Sequence, residues 1–275
     1  MDALDDHTDS ASLDAALIVR QVLGLSRTGL YLAYERALQP VQVAAIDALV
    51  ARRVAGEPMA YLLGTRAFRT IDLLVDERVL VPRPETEWFV DAALEWLAAH
   101  SGPRRVIDVG TGSGAIALAL AAELPADRTD MTILASDVSA EAIEVAQSNA
   151  QRLGLAERVQ CVVADLLEGI DGPFDLILAN LPYLRNDQQH PSIRREPDVA
   201  LYGGEDGFDH YRRLLTQITN GNLLTPGGLL IGEIDPQQTP VAHAVLDSHP
   251  ALTLRVVPDL AGLDRYLVIT STPHR

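Results

Sequence analysis

A chain of 275 residues with 48% hydrophobic side chains can build the core of one large domain or two smaller ones, which excludes wholesale disorder. Its formal charge of −16 disfavours sequence-independent binding to a phosphate backbone, Arg194 and Arg195 being a local exception, and suits neutral or basic protein partners. The lone cysteine, Cys161, rules out a disulfide framework and a Cys-x-x-Cys metal or redox site, and reads as a small buried apolar side chain.

In chain order, Met1 to Ser10 is acidic and polar and reads as a frayed tail, without the basic and apolar regions of a signal peptide. No apolar run reaches the length of a membrane span, so the expected compartment is the cytoplasm. Residues 11 to about 55 carry apolar positions at helical spacing. Leu13, Ala16, Leu17, Val19 and Val22 form one stripe, and Val41, Val43, Ala44, Ile46, Leu49 and Val50 another, which predicts a small helical bundle. The β-rich stretch from Phe68 to Val81, with Asp76-Glu77-Arg78 in its middle, predicts a hairpin linking two parts. Pro84, Glu85 and Glu87 suit the start of a helix running to about Ala99.

From Arg105 the pattern alternates. Strands are expected at 105–109, 131–136, 158–163 and 174–179, with helices at 114–123 and 139–153. Such βαβ alternation predicts a parallel, doubly wound sheet. A helix after residue 206 follows, then a Pro-Gly-Gly turn into a strand at 229–234, a helix at 237–247 and a final antiparallel pair at 252–257 and 265–270. The expected partition is a helical domain at 1–65, a hairpin linker at 66–84 and a ligand-binding domain at 85–275.

Ligand-type residues gather at the strand ends, where open α/β sheets bind small molecules. Gly110-Thr111-Gly112-Ser113-Gly114 lies between a strand and a helix, where glycines permit a tight turn and close approach of a ligand. The spacing is G-x-G-x-G rather than the dinucleotide G-x-G-x-x-G, and no G-K-[ST] follows. Asp137 ends the second strand, where it can accept from ribose hydroxyls or cap the helix beginning near Ser139. Asp165 ends the third, placed for an adenine amine or for an ordinary turn. Asp108 can anchor the loop or meet an ammonium group. The fourth strand stops at Asn180-Leu181-Pro182-Tyr183: an amide, a rigid turn and an aromatic ring at the carboxyl end. Together with the glycine loop, this suggests methyl transfer to a planar nitrogen. Seven histidines are scattered without paired ligand spacing, so no metal is expected.

Nearly the whole chain resembles the HemK/PrmC family of AdoMet-dependent glutamine N5-methyltransferases, which modify peptide chain release factors. The resemblance rests on Pro82-Arg83-Pro84-Glu85-Thr86-Glu87, on Asp108 to Gly114 and on Asp137-Val138-Ser139. It extends through Glu196-Pro197, Ala200-Leu201, Gly203-Gly204 and Asp206-Gly207 to Gly232-Glu233-Ile234 and Asp259 to Arg265. It implies a Rossmann-like class I methyltransferase, with a doubly wound, mostly parallel seven-stranded sheet and an N-terminal helical-bundle domain. S-adenosyl-L-methionine (AdoMet) would be the cofactor and S-adenosyl-L-homocysteine the product. Cofactor contacts are expected from Asp108, Gly110, Thr111, Gly112, Gly114, Asp137, Val138, Asp165, Leu166 and Asn180. Acceptor contacts are expected from Arg83, Glu85, Asn180, Leu181, Pro182, Tyr183 and Glu196, with Asn180, Pro182 and Tyr183 catalytic. The implied partner is a class I peptide chain release factor and the implied acceptor the glutamine of its Gly-Gly-Gln motif.

The family typically has Asn-Pro-Pro-Tyr where this chain has Leu181, and Asn-Leu-Pro-Tyr is also familiar from rRNA adenine dimethyltransferases. A glutamine on a ribosomal protein, an adenine N6, and an AdoMet-binding translation-factor partner with little catalysis are the competing readings, with a dinucleotide oxidoreductase behind them. In the methyltransferase scheme, Asn180 Oδ1 and the carbonyl of residue 181 accept the two N–H groups of a weakly nucleophilic nitrogen, and Tyr183 stacks on the acceptor. Leucine keeps that carbonyl but gives up the fixed φ of proline. Arg83, Glu85 and Glu87 would close over the cofactor or start a solvated helix. Glu233, an acid in a strand, is expected to pair with Arg265.

Overall fold

A computed structural model describes all residues except 1, 6, 7, 9, 103, 126, 127, 129, 189–192 and 273–275. The N-terminal part is helical: α1 (Asp2–Asp5), α2 (Ala11–Leu23), α3 (Arg27–Leu32), α4 (Pro40–Val54) and α5 (Met59–Leu63). The opening segment is therefore not all frayed. Leu4 is fully buried, with α1 packed on α2 and α4. The inner face of α2 also differs from the expected stripe. Leu13 is exposed, while Ala11, Asp14 and Ile18 are buried. Asp14 accepts from Arg53 Nε at 2.7 Å and from Ser10 Oγ at 3.1 Å. A buried ion pair from α4 thus occupies a position that periodicity assigns to an apolar side chain. On α4, Val41 and Val43 are exposed.

The hairpin forms one arm earlier than expected, from β1 (Thr65–Phe68) and β2 (Ile71–Leu74), turning at Arg69-Thr70. Arg69 has φ 50°, a left-handed conformation costly for a side chain. Its N–H donates to Glu87 Oε1, and its guanidinium pairs with Glu123 and Asp91, so contacts distant in sequence hold the turn. Asp76-Glu77-Arg78 is a turn as well, but the chain after it is irregular. Val79 and Val81 drop into the core, and Pro82 and Pro84 end any pairing. Pro84–Thr86 then makes a short 3₁₀ turn into α6 (Glu87–Ala99).

The remaining elements alternate: β3 (Arg104–Val109), α7 (Ala115–Glu123), β4 (Met131–Asp137), α8 (Ala140–Arg152), β5 (Val159–Val163) and β6 (Phe174–Ala179). They continue with α9 (Asp209–Gly221), β7 (Leu224–Glu233), α10 (Thr239–Leu246), β8 (Leu252–Pro258) and β9 (Asp264–Ser271). β7 starts earlier than expected and runs through Pro226-Gly227-Gly228. Among the described residues these strands form a seven-stranded sheet of order β5-β4-β3-β6-β7-β9-β8, parallel except for β9. This is the Rossmann-like methyltransferase arrangement.

Period-two alternation splits the core between the faces. Val106, Leu176 and Leu178 pack with α6, α7 and α8, while Ile107, Val109, Ile177 and Ala179 pack with α9 and α10. The chain runs outward from β3 to β5, then returns to place β6 beside β3. That reversal opens a crevice at the carboxyl ends of β3 and β6, where Val109 pairs with Ala179 and Gly110 meets Asn180. No helix among the described residues is long and apolar enough to cross a membrane.

Candidate active site

Two clefts meet at this crevice. The first, of about 220 Å³, is bordered by the strand ends: Gly110, Gly112, Asp137, Val138, Asp165 and Leu166. The second, of about 530 Å³, is bordered by Leu80, Arg83, Tyr183, Leu184, Ile193 and Glu233. Asn180, Leu181 and Pro182 line both, so the Asn-Leu-Pro-Tyr turn is the partition between them.

In the first cleft, Gly110, Gly112 and Gly114 have φ of 74°, 55° and 84°, and a Cβ at Gly112 would meet nothing within 4 Å. These glycines thus take a left-handed conformation that glycine tolerates, with open space above Gly112. The cap of α8 is Ser139, whose side chain accepts from Ala142 N–H. Asp137 accepts from Ser139 N–H and from Gly112 N–H, each at 2.9 Å, and borders the cleft. Burial raises its pKa against these N–H groups. Thr111 is buried and donates to Asp108 Oδ2 at 2.6 Å, and Ala117 N–H donates to the same oxygen. Asp108 Oδ1 is buried and has no hydrogen-bond partner among the described residues, and burial pushes this carboxyl up to about 7. Asp165 Oδ2 accepts from Arg213 at 2.6 Å. A glycine cradle, acids at successive strand ends and an orphan carboxylate oxygen are donors and acceptors suited to a nucleoside bearing an amino-acid tail.

The partition is held from behind. Tyr211 on α9 places its hydroxyl between the carbonyls of Ala179 and Glu233, at 2.8 and 2.9 Å, and accepts from Glu233 N–H. Leu181 N–H also faces that hydroxyl, a donor that proline lacks, so the substitution trades a fixed φ for a backbone contact. The Leu181 side chain is buried against Gly110. The segment from Glu196 to Gly207 works as a brace. Leu184 N–H donates to Leu201 O, and Gly203 N–H to Leu184 O. A Cβ at Gly203 would lie 2.3 Å from Pro182 O, and one at Gly207 2.1 Å from Tyr183 O. Gln238 Nε2 donates to Tyr183 O at 2.8 Å.

Some expected acceptor residues lie elsewhere. Glu196 is buried, its oxygens taken by Val81 N–H and the Arg83 guanidinium. It therefore positions Arg83, which does border the second cleft. Glu85 is exposed and borders neither cleft. Glu233 departs most from expectation. Its hydrogen bonds come from Tyr183 OH at 3.1 Å and Thr86 Oγ1 at 3.4 Å, while Arg265 Nε bonds Asp259. Burial raises the Glu233 pKa, opposed by the Tyr183 bond and the Arg265 charge. The acid of Gly232-Glu233-Ile234 thus faces the second cleft, a role its place in an apolar strand did not reveal. Thr86, which the sequence marks only as part of the motif at 82–87, accepts from Asn180 Nδ2 at 2.9 Å.

Residues 2–64 match the PrmC N-terminal domain family, and residues 90–196 the methyltransferase small domain family. The chain is 40% identical over 261 residues to a release factor glutamine methyltransferase of Deinococcus radiodurans, covering 94% of this chain and 90% of the relative. It is 38% identical over 274 residues to one of Bradyrhizobium diazoefficiens, covering 96% and 90%. A solved methyltransferase from Pyrococcus furiosus shares the fold at 19% identity and a TM-score of 0.54, over 82% of this chain and 98% of that one. A methyltransferase sheet, a matching N-terminal helical domain and such identity along nearly the whole length show that this chain belongs to the family of release factor glutamine methyltransferases, which depend on AdoMet.

Proposed function

We propose that this chain methylates the side-chain amide nitrogen of the glutamine in the Gly-Gly-Gln motif of class I peptide chain release factors. The observation that carries the reading is the partition. One carboxamide, Asn180, stands between a cleft suited to a nucleoside and a larger cleft open to a side chain. Asn180 Oδ1 has no protein hydrogen-bond partner among the described residues, which suits an acceptor waiting for a donor.

In this reading Gly110 and Gly112 line the cofactor cleft, and Thr111 and Gly114 shape the loop behind them. Asp137 would receive the ribose hydroxyls, Asp165 an adenine amine, and the orphan oxygen of Asp108 the ammonium group. Val138 and Leu166 flank the base. When bound, AdoMet supplies an electrophilic methyl on a sulfonium, leaving as S-adenosyl-L-homocysteine.

The chain's own contribution is placement. An amide nitrogen is a weak nucleophile because its lone pair is delocalised. Asn180 Oδ1 and the Leu181 carbonyl take its two N–H groups, and the Tyr183 ring lies against its plane. Holding the nitrogen in line removes most of the entropic barrier. The same two oxygens stabilise the positive charge that grows on nitrogen. The extra proton departs to water after the N–C bond forms.

The partition of the chain follows the same reading: 1–65 recognises the protein partner, 66–84 links, and 85–275 catalyses, in the cytoplasm. Tyr31, Leu32 and Tyr34, each at least 80% exposed on the helical part, support a protein-binding role there. The net charge of −16 supports a protein rather than a nucleic acid acceptor.

Transfer of label from AdoMet to a purified release factor tests the proposal. Label should reach the intact factor. It should not reach the factor with its Gly-Gly-Gln glutamine replaced, nor rRNA. Label on rRNA would move the activity to adenine, and binding without transfer to any of the three would reject the acceptor.

A further inference from the structure

We infer that Thr86 and Glu233 form a relay of hydrogen bonds that fixes which end of the Asn180 carboxamide faces the acceptor cleft, making Thr86 a positioning residue for the reaction proposed above. A carboxamide is nearly symmetric in shape. Turning it over exchanges Oδ1 for Nδ2 and would present a donor to the incoming N–H groups, where the reaction needs an acceptor. Something other than shape must choose.

The choice can be read from the hydrogen count. In its carboxylate form Glu233 only accepts, and it takes one hydrogen from Tyr183 OH on Oε1 at 3.1 Å and one from Thr86 Oγ1 on Oε2 at 3.4 Å. The Thr86 hydroxyl has one hydrogen. With it committed to Glu233, Oγ1 can only accept from its other neighbour, and that neighbour is Asn180 Nδ2 at 2.9 Å. Nδ2 is thereby held away from the cleft and Oδ1 left toward it. If the amide turned over, two acceptors would face each other in a buried site.

Three separate elements contribute: the 3₁₀ turn before α6, the end of β6 and the end of β7. Thr86 and Glu233 are 5% and 2% exposed, so water does not readily replace either link. The relay gives a physical reason for an acid at the end of an apolar strand. The Pro84–Thr86 turn is also held by Tyr266 OH, which donates to Glu85 O at 2.9 Å.

The test uses the full chain with Thr86→Val, which keeps the shape and removes the hydroxyl, and Thr86→Ser, which keeps the hydroxyl. Thr86→Val should lower kcat about 10- to 100-fold, the factor that one lost buried hydrogen bond represents. KM for the acceptor should change less, and AdoMet affinity should stay within about twofold. Thr86→Ser should restore most of kcat. In 15N NMR of the protein alone, the Asn180 side-chain amide, identified by its loss in Asn180→Ala, should show one hydrogen-bonded proton in wild type and Thr86→Ser but not in Thr86→Val. Should Thr86→Val fail to fold, Thr86→Ala reads the same quantities. Wild-type kcat in Thr86→Val, or equal loss in Thr86→Ser, would overturn the relay. The NMR arm needs no acceptor, so a failed glutamine assignment and a failed relay give different results.

Discussion

The two clefts on either side of Asn180 are built in opposite ways. The first cleft, proposed for the cofactor, is assembled from consecutive strand ends, Gly110 and Gly112 after β3, Asp137 after β4 and Asp165 after β5, each delivered by its own short motif. The second cleft, proposed for the acceptor, gathers Leu80, Arg83, Tyr183, Ile193 and Glu233 from segments far apart in sequence, and its shape depends on braces behind it: Tyr211, Gln238 and the glycines at 203 and 207. A cleft made of local motifs tolerates sequence change around it. One made of converging segments fails when any support moves. Damage to the first should appear in cofactor affinity, and damage to the second in turnover.

The largest expected effect is at the partition. Asn180→Ala removes the acceptor for a substrate N–H and should cut turnover about 100- to 1000-fold. On the other side, Asp137→Ala should weaken AdoMet binding about 10- to 100-fold, by loss of a charged acceptor and of the Gly112 anchor, with much of kcat regained at saturating cofactor. Equilibrium titration beside steady-state kinetics checks both.

A smaller effect sharpens the idea of braces. Gly203→Ala puts a methyl against Pro182 O and Gly207 O, and should cost about 1–3 kcal/mol of stability and lower kcat more than AdoMet affinity. Thermal unfolding and kinetics together would show it, and a loss of affinity alone would contradict the brace.

The smallest effect concerns Asp108, raised by burial to about 7. A carboxyl whose pKa is raised on folding favours the fold while it is protonated. That contribution is complete below its ordinary range, near 4, and is lost as pH rises through about 7. Asp108→Asn should therefore raise the Tm of the cofactor-free protein by roughly 2–6 °C at pH 8 and hardly at all at pH 4. It should also weaken AdoMet binding if the orphan oxygen meets the ammonium group. Scanning calorimetry at the two pH values decides the sign.

The same contrast governs what could be read from sequence. The sheet core was legible because its strands are short apolar runs closed by glycine, Asp or Asn, signals that need only neighbouring residues. The hairpin was misplaced by one arm because Arg69 turns with no glycine or asparagine, held by Glu87, Glu123 and Asp91. The α2 stripe was misplaced because the Asp14–Arg53 pair takes an inner position. The need of a buried acid for a partner points from Glu233 to Arg265, yet folding delivers it to Tyr183 and Thr86. Local signals marked the residues of the first cleft, whereas the supports of the second exist only once the chain is folded.

The most direct test of the division is calorimetric titration of Asn180→Ala with AdoMet, paired with its single-turnover rate on a release factor. The account predicts affinity within a few-fold of wild type and a rate lowered by about two orders of magnitude or more. Affinity lost in proportion to rate, or a rate near wild type, would contradict it.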